Sequence, residues 1–110
     1  MVAVTQSALA HQMARQVVRT APADANIRRI WVWSQHGYID PERDYVHIWV
    51  LADPISPAAD DALLTTLNDL PERFPDVNIG AGTFAPGDYT EEELRDWMHP
   101  DAEEIDLGIR

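Results

Sequence analysis

Two stretches of this 110-residue chain carry side chains able to do chemistry: Ser34 with His36, and Tyr45 with His47. A phenol and an imidazole two residues apart on a strand project to one face. Such a pair can relay a proton where a cleft lies over it. With Ser34, His36 and, from a later segment, Asn78, the pair outlines a candidate pocket. It would suit a small enzyme, or a protein that binds a nucleotide or another ligand. The bland alternative for His47 is a hydrogen-bonded, partly buried side chain, because histidine is commonly of intermediate burial. His11, His36, His47 and His99 show no metal-ligand spacing, so no metal site and no cofactor are expected.

Other signatures are missing. The chain has no Gly-Lys-Ser/Thr phosphate loop, no His pair four apart around a Glu and no calcium loop. No Gly-x-Ser-x-Gly elbow surrounds a serine. Gly80-Ala81-Gly82-Thr83-Phe84-Ala85 matches the dinucleotide fingerprint in its letters, but Pro86-Gly87 follow where a helix would have to start. An edge or bulged strand accounts for these glycines better. Trp31, Trp33 and Trp49 could form a base-stacking platform, yet no Lys or Arg is interleaved with them. Core or interface packing is the better account.

The elements that position these residues follow from periodicity. Leu9, Met13 and Val17, flanked by Ala10, Ala14 and Val18, predict a helix over 6–19. Arg15 and Arg19 sit near its C-terminal end, where the helix dipole favours cations. Residues 28–34 read as a strand, with Ile30 and Val32 on one face and Trp31 and Trp33 on the other. Residues 44–52 form a second strand, central in the sheet, with Val46, Ile48 and Val50 opposite Tyr45, His47, Trp49 and Leu51. The turn-rich connection between the two predicts an antiparallel hairpin. Ser56 and Pro57 open a second helix carrying Leu63, Leu64, Leu67 and Leu70, which Pro71 interrupts or restarts. A glycine-weakened strand over 76–84 follows. Thr90 and Glu93 then form a capping box for a third helix to about Met98. Ile105, Leu107 and Ile109 alternate with polar residues and glycine, which predicts a short final strand.

The expected fold class is therefore α+β, in the order α-β-β-α-β-α-β, with helices packed on a mixed four-stranded sheet in one domain spanning 1–110. The length and a 45% hydrophobic content suffice for one core. No apolar run is long enough to span a membrane, no secretory signal is visible, and there is no cysteine for disulfide or thiolate chemistry. A cytoplasmic protein is expected.

The net charge of −11 is unevenly spread. Residues 1–30 carry four Arg against one Asp, residues 31–90 ten acids against two Arg, and residues 91–110 eight acids against two Arg. Such a field repels phosphate backbones and disfavours direct nucleic-acid binding. Lys is absent, and all eight basic residues are Arg. This composition suits either a high-salt organism or a GC-rich genome. Glu91, Glu92, Glu93, Asp96, Glu103 and Glu104 form a candidate face for a basic protein partner. Homodimerisation through sheet or aromatic surface is the other expectation.

One arrangement carries a resemblance. Val32-Trp33-Ser34, ten intervening residues, and Tyr45-Val46-His47-Ile48 fall on a recognisable frame, with Val77-Asn78-Ile79 after the second helix. Frame and element order together resemble the minimal nucleotidyltransferase superfamily, over roughly residues 6–80. The resemblance implies that fold. It also implies, at the matching positions, a Gly-Gly or Gly-Ser pair and carboxylates that hold Mg²⁺ against nucleotide phosphates. Here Trp33 replaces the glycine, and Tyr45, His47 and Asn78 replace the carboxylates; only Ser34 fits. Asp44 is one residue out of phase and points to the other face. A hard cation needs anionic oxygen ligands, so the resemblance implies the scaffold without its transfer chemistry: a non-catalytic binding or protein-interaction module.

Overall fold

The structure is a computed structural model that describes residues 2–75 and 77–107. Helix α1 (Val2–Thr20) leads through a single 3-10 turn (Ala23–Ala25) into β1 (Ile27–His36). Asn26 makes that entry with φ 49°, a left-handed conformation that asparagine tolerates better than most residues. Strand β2 (Asp44–Ala52) pairs antiparallel with β1, setting Trp31 opposite Trp49, Trp33 opposite His47 and Gln35 opposite Tyr45. Gly37, with φ 75°, begins the connecting turn, and its N–H donates to Arg43 O at 2.8 Å.

Helix α2 (Pro57–Asn68) starts as its sequence requires: the Ser56 hydroxyl accepts from the Ala59 N–H at 3.1 Å, and Pro57 fills the first turn, where no N–H is needed. Pro71 restarts the chain as the single turn α3 (Leu70–Arg73). Strand β3 (Asn78–Phe84) then runs parallel to β2, which makes β2-α2-α3-β3 a crossover unit. Helix α4 (Glu91–Trp97) opens on the capping box of Thr90 and Glu93. Strand β4 (Glu103–Glu104) closes the far side of β1, giving a mixed open sheet in the order β3-β2-β1-β4. This is an α+β architecture with helices on a four-stranded sheet, as expected.

The last strand needs correction. It falls on Glu103 and Glu104, so it meets the expected alternation of 104–109 only at Glu104. The Ile105 N–H donates to Ile30 O at 2.8 Å, but its side chain turns into the core and Leu107 packs beside it. Burial of two aliphatic side chains wins over continued pairing at an edge. Gly108 and Ile109, also read as part of that strand, lie outside the described residues, as does Asp76 at the predicted start of β3.

The hairpin is covered on both faces. On one, Ile30, Val32, Val46, Ile48 and Val50 pack with Met13, Ala14 and Val17 of α1 and Leu63 and Leu67 of α2. On the other, Leu94 of α4 packs with Trp31 and Leu51, joined by Trp49, Phe84, Tyr89 and Met98. Each aliphatic side chain fully buried in this way contributes about 1.5–3 kcal/mol. Among the described residues no helix is long and apolar enough to cross a membrane. Replacing Ser56→Ala removes the acceptor for the Ala59 N–H and should lower stability by about 1 kcal/mol, read as a lower midpoint in urea unfolding.

Candidate functional site

Alternation along β2 places Tyr45, His47 and Trp49 on the face opposite α1, and the registers bring Trp33 and Gln35 of β1 and Asn78 and Gly80 of β3 to the same face. Ser34 lies opposite Val46 and His36 opposite Asp44, so these two share the other face with the aliphatic core. Of the five candidate pocket residues, the sheet thus brings together Tyr45, His47 and Asn78. It separates Ser34 and His36 from them.

His47 is the centre of its face and only 5% exposed. Trp33 stacks on it with ring centroids 4.8 Å apart and planes 15° apart, while Tyr38 meets it edge-on at 4.6 Å. Gly80 faces the imidazole from β3: a Cβ there would stand 2.7 Å from Nδ1 and 3.0 Å from Cε1. Glycine is required because the imidazole occupies the space of a side chain. Among the described residues its Nε2 is buried without a hydrogen-bond partner. Burial pushes the His47 pKa down, with the charge of His99 acting in the same direction, so the ring is neutral near pH 7.

The neighbouring polar groups are committed to structure. The Tyr45 hydroxyl oxygen accepts from the Asp40 N–H at 2.9 Å, which ties the hairpin loop to the strand. Asn78 Nδ2 donates to Asp44 O at 3.1 Å, and His36 Nδ1 pairs with Asp44 at 2.7 Å on the rim. Ring contacts continue from Trp33 to Trp49, Phe84, Tyr89 and Trp97 at centroid separations of 4.7–5.6 Å. Among the described residues no group of three His, Asp or Glu is arranged to hold a metal ion.

Ser34 has other company. With His11, Asp101 and Glu103 it lines a cavity of about 160 Å³ between α1 and the β4 side of the sheet, where His11 Nε2 lies 3.0 Å from Glu103. That grouping escapes sequence reasoning because His11 and Glu103 meet only through the β1–β4 register, with no local spacing to announce it.

The acidic candidate face is only partly free. Arg29 bonds both Glu91 and Glu104, and Arg95 reaches Glu104 at 3.2 Å. The hydrogen bonds to Glu91 and then Glu104 hold the Arg29 pKa above its ordinary value. Glu103 meets His11, and Glu93 is spent on the cap of α4. Glu92 and Asp96 stay exposed without a cation among the described residues.

Comparison with known families, curated proteins and solved structures gives no match to this chain. The class that fold and site define is therefore a mixed-sheet α+β protein whose hairpin face is filled by aromatic rings around a neutral histidine.

Two outcomes test this packing. Gly80→Ala should lower stability by about 1–3 kcal/mol through overpacking against His47. Gly87→Ala, with nothing within 4 Å of the added Cβ, should change it by less than about 0.5 kcal/mol in the same urea titration. The depressed pKa of His47 also sets a sign: below about pH 6.5 the unfolded imidazole takes a proton that the folded one refuses, so stability falls with pH. Unfolding of the chain and of His47→Phe between pH 7.5 and 5.5 should show the variant losing less stability. Parallel losses would refute the assignment.

Proposed function

We propose that this chain is a non-catalytic binding or protein-interaction module on a nucleotidyltransferase-like scaffold. Support for the scaffold comes from the antiparallel hairpin followed by a crossover to a parallel third strand, and from the pairing of Tyr45 with Asn78. Through that pairing the three frame positions share one face. The observation that carries the non-catalytic part is the filling of this face by His47, stacked under Trp33 and met by Tyr38. An imidazole, a phenol and an amide lack the anionic oxygens that a hard cation needs against phosphate. Ring packing and the Asp40 and Asp44 backbone bonds already engage all three.

The partner that best suits the surface is a basic protein. A net charge of −11 draws cationic surfaces from a distance and repels nucleic acid. Helix α4 presents Glu92 and Asp96 next to Trp97, which is 57% exposed. Aromatic residues are enriched at interface centres. Self-association is the second reading, favoured by the exposure of Tyr38 and Ile39 at 55% and 76% on the hairpin loop.

Incubating the purified protein with labelled nucleoside triphosphates, candidate acceptors and Mg²⁺ should yield no nucleotide transfer and no thermal stabilisation by nucleotide plus Mg²⁺. Magnesium-dependent transfer would overturn the proposal. Light scattering separates the two partner readings: a monomer at high concentration removes self-association.

A further inference from the structure

We infer that a second site, at the carboxyl ends of β2 and β3, binds an organic cation of the guanidinium or alkylammonium class. It lies towards the other end of β2 from Tyr45, and it stands on observations independent of the nucleotidyltransferase frame.

The topology makes the site. After Ala52, β2 leaves the sheet towards α2, which packs on the aliphatic face; after Phe84, β3 leaves towards α4, which packs on the opposite face. Two adjacent parallel strands whose continuations part to opposite faces leave a crevice between them, the place where open sheets receive ligands. A cavity of about 320 Å³ lies there, lined by the ends of both strands, the first turns of α2 and the segment leading to α4. That volume suits a side-chain-sized ligand.

The lining selects a cation. Asp60 of α2 and Asp88 of the 85–90 segment both face the cavity, and neither meets a cation among the described residues. Glu92 and Asp96 are likewise without a cation among the described residues, but Asp60 and Asp88 differ from them in lining one cavity together. Phe84 and Tyr89 supply the walls, their rings 5.4 Å apart and nearly perpendicular at 88°. Aromatic walls suit a delocalised or alkylated cation, and carboxylates at the rim supply opposite charge. A metal ion would not use the rings. An anion would meet two like charges, and the start of α2 has little to offer it: Pro57 has no N–H, and the Ala59 N–H is taken by Ser56.

The test uses the full chain and three probes: N-acetylarginine amide, a short alanine peptide carrying one arginine, and the same peptide with neutral citrulline in its place. Backbone amide shifts, followed by NMR, locate binding and measure affinity. The expected result is saturable binding of both arginine probes, with shifts centred on Asp60, Thr83, Phe84 and Asp88, and at least about tenfold weaker binding of citrulline. Asp60→Asn and Asp88→Asn should each weaken arginine binding about fivefold with little change in melting temperature. Tyr89→Leu should weaken it too, while Asp96→Asn, an exposed residue that does not line the cavity, should not. Tighter binding of the peptide assigns the cation to a protein side chain, and equal affinities assign it to a free small molecule; both uphold the site. No saturation by either arginine probe, equal binding of citrulline, or shifts that centre on Glu92 and Asp96 would overturn it. Those failures would leave the module proposal standing, because its own test is nucleotide transfer at the other end of the strand.

Discussion

The β1–β2 hairpin must bury both of its faces, and most of the remaining structure answers that requirement. Its aliphatic side recruits α1 and α2, which together supply a conventional core. Its aromatic side is covered by the seven-residue α4 and by Tyr38, Tyr89 and Met98 from adjoining segments. The rest of that side therefore packs ring on ring, from Tyr45 and Tyr38 through His47 and Trp33 to Trp49 and Phe84. Aromatic pairs add about 0.5–1.5 kcal/mol each beyond the area they bury. A short helix is enough because the rings cover one another.

Gly80 shows how tightly this is drawn. Parallel pairing sets it directly opposite His47, and the imidazole fills the volume a side chain would take. Glycine in a strand weakens that strand for want of packing. Here the loss is offset by a buried, stacked ring on the neighbouring strand. Among the described residues the same seating leaves Nε2 without a hydrogen-bond partner, and the burial lowers the ring's pKa.

Much of the fold was legible in the residues themselves. The alternation of Val46, Ile48 and Val50 against Tyr45, His47 and Trp49 marked β2 at its observed bounds, and the Ser56 and Thr90 caps marked two helix starts. These are local signals with local causes. The parting of Ser34 and His36 from Tyr45 and His47 was written in the same alternation, but it takes the β1–β2 register to set the two strands side by side. What lay beyond reach depends on contacts between distant segments: Glu103 beside His11, Arg29 bridging Glu91 and Glu104, and Asp60 sharing a cavity with Phe84 and Tyr89. No spacing rule encodes a cavity whose walls come from two strands, a helix and a connecting segment.

Strand β4 has a bearing on how the molecule is made. It covers the rim of β1 with two residues that emerge from the ribosome roughly seventy positions after Trp31. Without them, β1 would carry a bare row of amide and carbonyl groups along Ile30 to Val32. The closing segment is itself strongly acidic, and it fastens through Arg29 and His11, residues synthesised long before it. Charge complementarity thus holds the last strand to an edge that would otherwise present unpaired backbone groups.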